Sequence, residues 1–154
     1  VHFAKDSRFL ILFTNLIKEN IMPLELEKEN RSETLRRQAV KMLERKGYQE
    51  IKTSLPDYEE PTAFNQVDTD EVYQPDLTAR TAFSKHYFEI IEDKSENKLR
   101  VAGKWKLMSK LAEIKNGKFF VLVPHGMMSY TNRLLESQNI KAEVLKLQTS
   151  NKKG

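Results

Sequence analysis

Two carboxylates set the chemistry to be expected of this chain. Asp76 and Glu89 sit near the middle of two strand-like runs in YQPDLTARTAFSKHYFEIIE, residues 73–92. In the first run, Tyr73–Ala79, side chains alternate with period two. Tyr73, Leu77 and Ala79 share one face, and Gln74, Asp76 and Thr78 share the other. In the second, Lys85–Glu92, Phe88 and Ile90 oppose Tyr87, Glu89 and Ile91. A reversal between Ala82 and Phe83 puts Asp76 directly opposite Glu89, with Cβ atoms roughly 4.5–5.5 Å apart on one face. Like charges that close repel unless a cation lies between them. Hard divalent ions take carboxylate oxygens in this way. A register one residue off leaves both carboxylates merely solvated, and spacing alone does not choose between the two.

These residues stand in a chain of 154 residues, long enough for one domain with a real core. It has no cysteine, which excludes disulfides and thiolate metal sites and points to an intracellular, cytoplasmic setting. The net charge is +4, unevenly spread. Residues 49–76 hold eight acids and one lysine, while residues 94–118 hold eight basic residues and two acids. An acidic end beside a basic end suits a metal site next to a phosphate-binding surface. Solvated lysine-rich helices give the same pattern.

The elements that must position the pair follow from periodicity. Residues 1–21 contain an apolar run, Phe9–Ile17, too short to span a bilayer and lacking a signal-peptide cleavage site. They are expected to be an extension, with residues 22–148 forming the domain and 149–154 a tail. Asn30 and Glu33 have capping-box spacing for a first helix carrying Leu35, Ala39, Met42 and Leu43, which Gly47 closes. Glu33 reads first as the capping-box partner and second as a third carboxylate aimed at the pair. Tyr48–Leu55 is a strand, and residues 56–72 form a long acidic loop without clear period. Residues 93–100 read as a polar turn. Lys104–Lys115 is a helix striped by Trp105, Met108, Leu111 and Ala112. FFVLV, residues 119–123, is a buried strand, so the crossover pairs it parallel to the hairpin. Ser129 caps a last helix, and Ala142–Leu147 is a last strand. The whole predicts an α/β fold: a mixed sheet flanked by helices, in the order αβββαβαβ.

That order, with Pro75-Asp76 in the second strand and Glu89 in the third, resembles the PD-(D/E)XK nuclease superfamily over roughly residues 28–147. The resemblance implies a restriction-endonuclease-like fold. It implies that Asp76 and Glu89 hold one or two divalent ions, Mg²⁺ or Mn²⁺, and that Glu33 assists from the first helix. The family lysine, two residues after the acid, is absent: Ile91 stands there. Some members supply it from the following helix, which makes Lys104 the first candidate and Lys106 the second.

Other chemistries find little support. There is no glycine-rich phosphate loop, HExxH motif or nucleophile elbow. His86 faces away from Glu89 in this register and reads as structural; His125, past a strand end, could reach a cleft. Tyr130 and Arg133 could touch nucleic acid from the last helix. Two functions are carried forward. One is a metal-dependent DNA phosphodiesterase with Asp76, Glu89, Lys104 and Glu33 catalytic and Lys106, Lys110 and Lys115 tracking the backbone. The other is an inactive module on the same fold that binds nucleic acid or protein, favoured by Ile91. The expected partner is nucleic acid, probable substrate DNA, without a membrane; a homodimer is left open.

Overall fold

Five strands form one mixed sheet in the order β1-β4-β5-β6-β7. The structure, a computed structural model, describes the backbone of residues 2–148 and the side chains of residues 23–148. The elements are α1 (His2–Arg45), β1 (Gln49–Thr53), β2 (Phe64–Asn65), β3 (Val72–Tyr73), β4 (Leu77–Thr81), β5 (Ser84–Ile90), α2 (Lys98–Ile114), β6 (Phe119–Val123), α3 (Met128–Ser137) and β7 (Glu143–Lys146). Among the described residues the chain is thus α/β, with a mixed sheet and three helices. It divides into two compact units, Val1–Thr34 and Leu35–Gly154.

The first unit is the N-terminal part of α1. Its described side chains, from Pro23 onward, are almost all exposed. The expected cap at Asn30 is not formed, because the helix runs through Asn30 and Glu33 without a break. Asn at a helix interior costs only a few tenths of a kcal/mol, so a capping sequence need not cap. The unit boundary falls after Thr34, later than the expected boundary at residue 21. The side chains of the apolar run, residues 9–17, and the tail, residues 149–154, lie outside the described residues.

The second unit is layered. The last turns of α1 place Leu35, Ala39, Val40 and Leu43 on one sheet face, against Leu77, Phe88, Ile90, Phe120 and Leu122. The other face carries Tyr87, Ile91, Val121 and Val123 under Trp105, Met108 and Ala112 of α2 and Leu134 and Leu135 of α3. FFVLV is buried at every position because helices cover both faces of β6. Gly47 ends α1 at φ +88°. The left-handed turn lets the Tyr48 N–H donate back to the Leu43 carbonyl at 3.1 Å.

The hairpin adopts the expected register. Leu77 pairs with Phe88, Ala79 with His86 and Thr81 with Ser84, antiparallel. β5 pairs parallel with β6, as the crossover through α2 requires, and β6 pairs parallel with β7. Three expectations are corrected. Tyr73 does not continue β4: it belongs to β3, pairs with Phe64 in a separate two-stranded ribbon, and packs on the opposite core from Leu77 and Ala79. Pro75, buried between the two, interrupts the alternation. The loop of residues 56–72 therefore contains structure of its own. α2 starts six residues before Lys104, because Asn97 Oδ1 accepts from the N–H groups of Leu99 at 3.0 Å and Arg100 at 3.3 Å. The last helix starts at Met128, and no side chain caps it.

Candidate active site

Asp76 stands one residue before β4, where the hairpin register extends to set it opposite Glu89. Each residue fastens the other's strand. The Asp76 N–H donates to Glu89 Oε2 at 2.8 Å, and the Ile90 N–H donates to Asp76 Oδ2 at 2.8 Å. Behind them, the buried Thr53 hydroxyl donates to the Asp76 carbonyl at 2.7 Å. Two cations complete the group. Lys104 Nζ lies 2.9 Å from Glu89 Oε1, and Arg36 Nη2 lies 3.4 Å from Asp76 Oδ1. Each of the four carboxylate oxygens therefore has a protein donor.

A cleft of about 120 Å³ opens on this group. Asp76, Glu89, Glu92 and Glu96 supply its acids, Arg100 and Lys104 its cations, and Ile91 and Trp105 its apolar wall. Lys104 reaches it from the second turn of α2. Arg100, one turn earlier, also lies over the Tyr73 ring at 5.6 Å.

Charge within the cleft is unbalanced. Glu89 is enclosed, with its side chain 4% exposed. Burial first, and the Asp76 carboxylate second, push its carboxyl up to about 8; Lys104 and the Asp76 N–H pull the other way and do not win. Burial works against the Lys104 ammonium, yet Glu89, Asp76 and Glu96 together hold it above the ordinary amine range. Taken singly the two shifts conflict, one describing a neutral acid and the other a lysine held by an anion. The direction for Glu89 is the firmer, since burial and Asp76 act on it together against one ammonium. Glu96 is raised as well, by burial and then by Asp76, Asp93 and Glu92. Burial and the crowding of carboxylates thus favour the protonated form of Glu89.

Among the described residues no three His, Asp or Glu side chains converge as a metal cage. Two carboxylates are nevertheless a sufficient protein set for Mg²⁺, which keeps much of its water and is commonly held by one or two carboxylates plus substrate phosphate. Asp76 and Glu89 are hard oxygen donors of that kind, each already beside one cation, Arg36 and Lys104.

Of the residues expected here, the cleft brings together Asp76, Glu89 and Lys104. Glu33 belongs to the first unit and is exposed on α1. Lys106, Lys110 and Lys115 do not line the cleft. At about 100° per residue, Lys106 and Lys110 stand roughly 200° and 240° round the helix from Lys104. Lys106 Nζ donates to Gln138 on α3 at 3.4 Å. The Lys115 carbonyl accepts from Lys85, at the far end of β5 from Glu89.

Arg36, Arg100 and Glu96 were missed by the sequence reading. Arg36 follows Leu35 on the packed turn of α1, but nothing in its neighbours signals a partner 40 residues away. Arg100 carries a signal: it precedes Lys104 by four once the helix is known to start at Lys98, whereas Glu96 lies before the Asn97 cap and carries none.

The histidines lie elsewhere. His86 Nδ1 accepts from the Lys118 N–H at 3.0 Å, so in its neutral form the proton sits on Nε2, 3.0 Å from the Thr81 hydroxyl. Burial and Lys118 hold its pKa down. It is a neutral structural bridge on the face opposite Glu89. His125 is exposed beyond β6 and does not line the cleft. Among the described residues no helix is long and apolar enough to cross a membrane.

No family model, curated protein or solved structure matches this chain. The functional reading therefore rests on the residues themselves.

Proposed function

We propose that this chain is a metal-dependent phosphodiesterase acting on DNA, with an endonuclease-like site on a restriction-endonuclease-like sheet. The observation that carries the reading is the convergence of Asp76, Glu89 and Lys104 in one cleft. The antiparallel hairpin followed by a helical crossover to a parallel strand supports the fold reading.

Asp76 and Glu89 are the residues to hold Mg²⁺ or Mn²⁺. Such an ion, when bound, acidifies water and offsets the charge that builds on the phosphate. The chain's own residues supply orientation and further charge. The mutual strand bonds of Asp76 and Glu89 fix both carboxylates before any substrate arrives, which removes a reorganisation cost from the reaction. Lys104, with three donors on a flexible stem, orients water or neutralises a phosphate oxygen once Glu89 is otherwise engaged. Arg100 adds a second cation at the wall.

The test is cleavage of plasmid and branched DNA with Mg²⁺ or Mn²⁺, with and without chelator, for the wild type and Asp76→Asn. Chelator-sensitive cleavage that disappears in Asp76→Asn is the expected result. A wild type inert on every DNA and RNA offered, with divalent affinity unchanged by Asp76→Asn, removes the enzyme reading.

One observation favours an inactive binding module instead. Each carboxylate oxygen already has a protein donor, and Ile91, 4% exposed, is packed into the core where the family places its lysine. Under that reading Lys104 and Arg36 are permanent counter-ions. DNA binding without divalent-dependent cleavage is its signature.

A further inference from the structure

The turn between β5 and α2, with the start of the helix, sorts its charges by direction. Glu92, Glu96, Arg100 and Lys104 line the cleft. Lys94 and Lys98 do not line it, and both ammonium groups lie over the Tyr130 ring, at 5.7 and 5.5 Å from its centroid. Two like charges gathered on one ring repel, so a shared ring face explains their convergence only in part.

Topology adds to the positive potential. β5 and β6 are parallel, so α2 and α3, which follow them, both begin at the same edge of the sheet. Neither helix has an acid in its first turn, and α3 has no side-chain cap. Lys94 and Lys98 therefore stand where the positive ends of two helices already disfavour cations. A phosphodiester offers these two ammonium groups a negative charge and oxygens that accept from ammonium and backbone N–H groups alike.

We propose that Lys94 and Lys98, gathered over Tyr130, carry the backbone of the DNA strand into the cleft, in place of Lys106, Lys110 and Lys115. The assignment rests on the nuclease reading for its substrate class, but it is tested by binding alone. Both lysines are exposed, so their removal leaves the core untouched.

The experiment is fluorescence anisotropy of a labelled DNA duplex with the full chain in EDTA, over a range of salt. Wild-type affinity is expected to fall steeply with salt. The plot of log affinity against log salt should become shallower by about 2 in Lys94→Ala/Lys98→Ala, since each lost phosphate contact removes close to one unit of slope. Lys94→Glu/Lys98→Glu should abolish binding, and Lys106→Ala/Lys110→Ala should leave affinity and slope unchanged. A double alanine variant with wild-type affinity and slope overturns the proposal, as does a wild type that binds without salt dependence. The two readings fail separately. Salt-sensitive binding through Lys94 and Lys98 without divalent-dependent cleavage sinks only the catalytic reading. Cleavage with binding indifferent to both substitutions sinks only the DNA track.

Discussion

Asp76 and Glu89 are opposite neighbours on a hairpin, and each carboxylate replaces part of the ladder on the other's strand. Glu89 Oε2 accepts the Asp76 N–H, and Asp76 Oδ2 accepts the Ile90 N–H, both at 2.8 Å. Pro75, opposite Ile90 in this register, has no N–H to give to the ladder. The side chains fill the gap, so the carboxylates are held by the backbone that defines the sheet. The cost is a pair of acids in contact with little solvent, and Lys104 and Arg36 offset only part of it.

Asp76→Asn tests how the pair shares its charge. Asparagine keeps one acceptor, so either the Ile90 N–H or Arg36 loses its partner. That loss, about 1 kcal/mol, is opposed by relief of repulsion with Glu89, and net stability should move by less. The larger effect is expected on Glu89, whose carboxyl should fall from about 8 toward its ordinary 4.5. NMR titration of the Glu89 side-chain carboxyl reads this directly. An unchanged midpoint would show that burial alone sets the value. Divalent-dependent cleavage should be lost.

The same residue predicts a pH dependence of stability in the absence of divalent ions. An unfolded glutamate titrates near 4.5, and folded Glu89 near 8. Between those values the folded chain holds a proton that the unfolded chain does not. Glu89's contribution is therefore complete below about pH 4.5 and is lost as pH rises through about 8. Urea unfolding at pH 6 and pH 9 should show lower stability at pH 9, and Glu89→Gln should flatten that difference. Mg²⁺ competes for the same oxygens, so its affinity should rise over this range. A wild type equally stable at both pH values, or Mg²⁺ affinity that does not rise, counts against the raised Glu89 carboxyl.

The parts of the site that lie close in sequence were legible; the parts set by distant packing were not. Alternation plus a tight reversal at Ala82-Phe83 offered the register of Asp76 against Glu89 but left a one-residue slip open; the structure has the first, since the slip would turn Phe88 and Ile90 out of the core. Lys104 was legible from its position after the third main strand. The start of α2 was not, since Asn97 lies in a run of charged residues where a cap and a turn look alike. Tyr73 went to the wrong face because Pro75 ends one strand alternation and a different sheet begins before it. Arg36 reaches Asp76 only because α1 packs across the hairpin, a contact that no local pattern encodes.

Gly117 offers a test of how the far end of β5 is closed. A Cβ built there lies 1.8 Å from the Lys85 carbonyl oxygen and 2.7 Å from its carbon, both backbone atoms. Neither can swing aside like a side chain. Gly117→Ala should therefore displace the turn, break the Lys118 N–H to His86 bond and cost about 1–3 kcal/mol. A lowered urea midpoint with an unchanged slope is the expected result. An unchanged midpoint would show that the turn yields freely.

Lys104 and Ile91 together ask where the site needs its cation. Lys104 is 20% exposed and its ammonium touches Glu89, so Lys104→Ala removes the nearest positive charge from the acid pair. Divalent affinity should hold or rise, because lysine is not a ligand and no longer competes for Glu89, while the cleavage rate falls by roughly 10²–10³, the range seen when one preorganised donor is removed. Ile91→Lys alone places a lysine two residues after Glu89 but replaces a packed core side chain, so it should destabilise by about 1–3 kcal/mol. Ile91 also lines the cleft, within the compass of the same acids. In Lys104→Ala/Ile91→Lys the new ammonium therefore has Asp76 and Glu89 as counter-ions without a rival. The double variant should recover part of the rate lost in Lys104→Ala, though not the stability lost through Ile91. Recovery would mean that the cation acts by charge and not by its place on α2. Wild-type cleavage in Lys104→Ala would instead exclude Lys104 from the chemistry and leave Arg100 as the remaining cation of the cleft wall.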